Sequence, residues 1–144
     1  MPDVEWQAEH SVEVDVAVAH AWNVWTDVSK WDDPPAQFVL DGPFVEGAVG
    51  RTMIPGQPPI HWTVRDVVHG ESATILIDLD RATLAFIWRF DRLTDRRTKL
   101  TQRIVLAGEN AGIYRADMAA FGTGVPGGMQ RIAEAMERTA PADR

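Results

Sequence analysis

Polar and mostly apolar positions alternate from residue 7 to residue 16, putting Ala8, His10, Val12 and Val14 on one face. A period of two over that length describes a strand with one buried side. The period then changes. In residues 17–27 (AVAHAWNVWTD), Ala21, Trp22 and Trp25 fall at i, i+1 and i+4, which predicts a short helix with one face against a sheet. A second short turn is expected over 28–33, stopped by Pro34-Pro35, because proline cannot continue a helix and extends the residue before it. Further β-patterned runs follow at 38–40, 47–53, 60–68, 73–79, 84–91 and 98–107, separated by Asp41-Gly42-Pro43, by the stiff loop 55–59 and by the turn 95–97. Within these runs Ile60, Trp62 and Val64 share a face, as do Leu84, Phe86, Trp88 and Phe90, and Leu100, Gln102, Ile104 and Leu106.

Residues 111–139 have helical composition but contain Gly122, Gly124, Pro126, Gly127 and Gly128. Each interior glycine costs about 1 kcal/mol and an interior proline about 3 kcal/mol, so a continuous helix is disfavoured. The expectation is a short helix or turn-rich segment at 112–121, a break, and a firm helix at 128–139 with Met129, Ile132, Ala133 and Met136 on one face. A helix that follows nearly all the strands has to lie across a finished sheet. If that sheet curves, a cavity is left between the two. The reading is a single α+β domain spanning 1–144, large enough to bury a sizeable core without staples.

Composition narrows the chemistry. The chain has no cysteine, which removes disulfides, thiolate metal sites and cysteine nucleophiles. A net charge of −7 speaks against nucleic acid as a partner, since phosphate neutralisation needs a basic face. The local basic cluster Arg92, Arg96, Arg97 and Lys99 is interrupted by aspartates and reads as a solvated hairpin turn. The acidic start Met-Pro-Asp-Val-Glu does not resemble a signal peptide, and no apolar run is long enough to span a bilayer. A cytoplasmic location is expected. Six tryptophans against one tyrosine is an unusual ratio. These rings either build the core or line an aromatic pocket, and both readings hold for different residues.

Of the four histidines, none pairs with another at a metal-ligand spacing, so no metal is expected, and no cofactor either. His20 and His69 read as exposed. His10 lies on the core face of the first strand, either as a satisfied core residue or as a cavity acid or base. Gln102 sits among Leu100, Ile104 and Leu106, where a polar group needs a partner, either a neighbouring side chain or a ligand. Asp66 shares the face of Trp62 and Val64, and a bulge or strand end is expected to leave it wet. Arg89 and Arg103 are expected on the outer face, paired with Asp91 or Asp78. Tyr114 stands at the start of the C-terminal helical part. There is no GxSxG motif and no phosphate loop.

Several stretches together resemble the START/Bet v 1-like (SRPBCC) superfamily: Ala17-Val-Ala-His-Ala-Trp22 and Trp25-Thr-Asp-Val-Ser-Lys-Trp31, then Leu40-Asp-Gly-Pro-Phe44 with Gly47 and Gly50, then Arg97-Thr-Lys-Leu-Thr-Gln-Arg103 with Leu106-Ala-Gly108. The resemblance covers almost the whole chain. It implies a helix-grip fold, in which a curved antiparallel sheet of six or seven strands wraps a C-terminal helix and two short helices follow the first strand. It also implies a cavity for a small hydrophobic ligand. The chain departs from the family pattern at Asp32-Asp33-Pro34-Pro35, where relatives carry a second tryptophan, and at the Gly122–Gly128 interruption of the C-terminal helix. The first reading is binding of a small apolar or aromatic molecule, with Trp25, Phe38, Trp62, Phe86 and Trp88 supplying apolar area and Gln102 and Tyr114 orienting the ligand beside His10. The alternative is a polyketide cyclase/dehydrase-like enzyme that uses the same cavity, with His10 as acid or base and Gln102 or Tyr114 polarising a carbonyl. A third is a partner-binding module with exposed tryptophans such as Trp6 at its interface. The chain is expected as a monomer or homodimer.

Overall fold

Seven antiparallel strands form one sheet in the computed structural model, which describes residues 4–31 and 35–140. They are β1 (Val4–Val14), β2 (Gln37–Asp41), β3 (Val49–Met53), β4 (Ile60–Val68), β5 (Ser72–Leu79), β6 (Ala82–Thr94) and β7 (Arg97–Ala107), in the spatial order β1-β7-β6-β5-β4-β3-β2. Every link after the first strand is between sequence neighbours, so short turns suffice. The exception is β1, which leaves through α1 (Val18–Trp25) and a 3₁₀ turn at Val28–Lys30 and pairs with the last strand. Asp27 caps that turn through its side chain, accepting from the Ser29 N–H at 3.2 Å. The Asp32, Asp33 and Pro34 stretch, where the second turn was expected to end, lies outside the described residues.

After β7, a 3₁₀ turn (Ala111–Tyr114) leads into α2 (Arg115–Gly122), and Thr123-Gly124 separate it from α3 (Val125–Arg138). The firm helix therefore starts three residues before the expected residue 128. The reason is positional. Pro126 sits in the first turn, where its missing N–H would have no partner in the helix anyway. Gly127 and Gly128 occupy the same turn and spare the interior.

Alternation predicted the faces correctly. Leu100, Ile104 and Leu106 of β7 are sealed from solvent, together with Val14, Val64, Met129 and Met136. Met129, Ala133 and Met136 lie on one buried stripe of α3, with Ile132 at its margin. α3 lies over β1 and also touches α1. Asp66 is exposed, with φ 54° at a bulge that breaks the β4–β5 register. Glu46 accepts the N–H groups of Asp66 and Val67 at 3.2 and 3.0 Å and fixes that bulge.

Candidate functional site

Strand register arranges the inner face of the sheet as rows of side chains running across β1, β7, β6 and β5. The first row is Trp6, Leu106, Leu84 and Ile77, and the second is Ala8, Ile104, Phe86 and Ile75. The third is His10, Gln102, Trp88 and Ala73. Directly opposed residues have Cα atoms about 4.5–5.5 Å apart, so their side chains are neighbours on the same face. The two polar residues singled out from the sequence, His10 and Gln102, are thus adjacent in space.

Gln102 is 8% exposed, and among the described residues its amide has no hydrogen-bond partner. No buried side-chain nitrogen or oxygen among those residues is sealed off without a partner, so the Gln102 amide faces space that solvent reaches. His10 is half-buried beside it. The neighbouring outward residues are satisfied across the same strands: Ser11 and Thr101 share a 2.9 Å hydrogen bond, and Arg103 donates to Gln7 at 2.6 Å. The unpaired amide is therefore peculiar to the inner row.

The aromatic candidates divide into two groups. Trp25, Trp62 and Trp88 are 2%, 3% and 5% exposed and pack in a cluster at the α1 end of the sheet. Trp25 lies 5.3 Å from Trp88 and 5.1 Å from Phe44, and Trp31 stacks on Trp62 at 5.4 Å with Phe38 edge-on to it. Two of these indoles are tied by their N–H groups: Trp62 Nε1 donates to Thr52 Oγ1 at 3.1 Å and Trp31 Nε1 to the Trp25 carbonyl at 2.7 Å. Phe86 stands apart, half-buried, with Phe121 of α2 edge-on at 5.9 Å. Tyr114 is half-buried at the first-row end, where Arg115 holds Glu5 at 3.0 Å. Trp88 belongs to both regions, since it packs on Trp25 and sits beside Gln102.

Sequence reading missed Phe121 and Trp31 as partners of the candidates. Phe121 fell in a segment with no readable face, whereas Trp31 was visible as part of the resemblance but not as a stacking partner of Trp62. His20 also departs from expectation. It is half-buried, and its Nε2 donates to the Met136 carbonyl at 2.9 Å, which ties α1 to the last turn of α3. His69 is exposed and meets the edge of Trp22 at 5.6 Å.

Two surface depressions flank this interior. One, of about 390 Å³, lies between the 3₁₀ turn at Val28–Lys30 and β2. The other, of about 310 Å³, lies between β4 and β5. Among the described residues no group of three or more histidine, aspartate or glutamate side chains is placed to hold a metal, and no helix is long and apolar enough to cross a membrane. The outer surface carries ion pairs. Arg89 is held protonated beyond its ordinary range by its hydrogen bond to Asp91 and by that carboxylate's charge. Arg97 is held likewise, first by its hydrogen bond to Glu13 and then by the charge of Asp15.

Neither a protein-family model nor a curated protein sequence matches the chain. Solved structures do. Norcoclaurine synthase from Thalictrum flavum, in complex with dopamine and hydroxybenzaldehyde, superposes with a TM-score of 0.72 at 11% identity, covering 98% of this chain and 91% of that one. The ZhuI aromatase/cyclase from Streptomyces sp. R1128 gives 0.71 at 19% identity over 95% and 96% of the two chains. A protein from Mesorhizobium loti gives 0.72 at 12% identity over 94% and 100%. These likenesses span nearly the whole chain and show its fold, a helix-grip arrangement in which a seven-stranded antiparallel sheet carries the C-terminal helix across it.

Proposed function

We propose that the chain binds one small hydrophobic or aromatic molecule between the sheet and its C-terminal helices, as a cytoplasmic protein without a cofactor. The observation that carries this reading is the Gln102 amide, inward-facing, 8% exposed and without a protein partner among the described residues. A nearly buried amide with free donors and acceptor is a costly arrangement in an apolar interior unless a guest or water completes it. The surrounding surface is apolar: Ile104 and Phe86 in the adjoining row, with Phe121 above Phe86. A few polar groups on an apolar wall is the chemistry of a small-molecule site. The fold neighbours support it, because norcoclaurine synthase is held with dopamine and hydroxybenzaldehyde in the same fold.

In this reading Phe86, Trp88 and Tyr114 contribute contact area, Gln102 orients the guest, and Trp25, Phe38 and Trp62 support the wall from behind. Native mass spectrometry of protein purified from its own host tests it, with identification of whatever is extracted. A compound held at one per chain, whose binding weakens at least tenfold in Gln102→Leu, is the expected result. An empty protein whose tryptophan emission ignores a panel of aromatic and lipid compounds overturns it.

One observation favours the enzymatic alternative: His10 lies directly across from Gln102 in the same row. An amide that polarises a carbonyl next to an imidazole that moves a proton is a minimal arrangement for cyclase or dehydratase chemistry. Under this reading His10→Ala removes turnover of a poly-ketone or related substrate while ligand affinity stays within about threefold. If His10→Ala lowers affinity and turnover together, or no turnover exists to lose, His10 serves binding alone.

A further inference from the structure

The sheet is split on one side. β4 remains paired with β3 as far as Ile60, opposite Thr52, and β5 remains paired with β6 as far as Leu79, opposite Ala82. Between β4 and β5, however, the ladder ends at Thr63 and Leu76. In continued register the next pairs would be Trp62 with Ile77, His61 with Asp78 and Ile60 with Leu79, and none of these forms. The depression of about 310 Å³ occupies the parting.

Each lip runs into a stiff connection. The β3–β4 loop contains Pro55, Pro58 and Pro59, which fix φ and donate no hydrogen bond, so it cannot relax into a ladder. The β5–β6 turn is only Asp80-Arg81, with Arg81 at φ 53°, and it is committed to pairing with β6. The backbone groups facing each other across the parting lack ladder partners, so water or a passing guest has to satisfy them.

The parting has a polar outside and an apolar inside. His61 and Asp78 are exposed at its rim. Ile77 is on the inner face beside Leu84, and the next row inward brings Phe86 under Phe121. We propose that this split between β4 and β5 is the passage by which an apolar ligand enters and leaves the interior. The proposal rests on the binding reading above and adds the route.

Because the chain has no cysteine, the double variant His61→Cys/Asp78→Cys places two unique thiols on the two lips. A rigid ortho-phenylenedimaleimide bridge between them bars the parting without touching the interior. The probe is 1-anilinonaphthalene-8-sulfonate, followed by stopped-flow fluorescence. The interior signal is the part lost in Ala8→Phe, which fills space beside Ile104. The expected result is that bridging slows association and dissociation of the dye at least tenfold while the equilibrium affinity changes less than threefold. Unchanged rates in the bridged protein overturn the passage and leave interior binding standing. Absence of an interior signal before bridging overturns the binding reading, and the passage falls with it.

Discussion

The contrast between Gly50 and Gln102 shows how single residues set this interior. Gly50 is buried directly opposite Trp62 on β3, and a Cβ built there would overlap the six-membered ring of that tryptophan. The missing side chain is what lets Trp62 lie flat, stack on Trp31 and reach Thr52. Gly50→Ala is therefore expected to lower stability by about 1–3 kcal/mol through overpacking, read from urea unfolding. Gln102→Leu goes the other way. It removes an amide that has no partner among the described residues and leaves an apolar group of similar shape, so stability is expected to hold or rise while ligand affinity falls. A loss of more than about 1 kcal/mol on this change would mean that the amide has a structural role. Both residues were conspicuous in the sequence, Gln102 as a polar residue in an apolar file and Gly50 as a glycine in a strand. Only the strand register tells what each one faces.

At the scale of elements, periodicity described β1, β4, β6 and β7 with their buried sides, because one-sided burial forces period-two alternation, whereas β2, β3 and β5 were legible as strands without a face. It placed the last helix less well. Propensity argued against helix over Pro126-Gly127-Gly128, but these residues fall in a first turn, where a missing N–H costs little. Pro126→Ala is accordingly expected to change stability by less than about 1 kcal/mol, far below the cost of a proline in a helix interior. Met136, sealed under the last turns of α3, is the opposite case. Met136→Ala should cost about 2–5 kcal/mol by opening a cavity between α3, β1 and α1, again measurable by urea unfolding. The parting between β4 and β5 left no sequence signal, since both runs keep their strand pattern through it. Hydrophobic pattern reports which face is buried and says nothing of whether neighbouring strands stay joined.

Across the whole molecule, the first strand pairs with the last, from Val4 opposite Ala107 to Val14 opposite Thr98, which leaves β1 and β2 as the two edges of the sheet. Such distant contacts form only after long loops have closed, so refolding is expected on the millisecond-to-second timescale of high-contact-order domains, followed by stopped-flow tryptophan emission. Microsecond refolding would contradict that ordering. The same architecture explains why the aromatic residues were ambiguous in the sequence. α1 packs against β6, β7 and α3, and the tryptophans of α1 and of the turn after it fill one end of the sheet. Rings that alternation could assign only to the inner face were thereby divided between a buried cluster beside α1 and the half-buried Phe86, which meets Phe121 of α2 edge-on. The buried cluster also has an optical consequence. Trp31 and Trp62 stack at 28°, and Trp25 and Trp88 lie 38° apart in plane with centroids 5.3 Å apart. Indole chromophores this close and this fixed share their excited states, so the protein should show a two-signed circular-dichroism band that no isolated tryptophan produces. Trp6, set apart against Gly122 of α2, stays outside that coupling and emits on its own. The chain thus carries two independent light signals, one for the tryptophan-filled end of the sheet and one for the helices that lie over it.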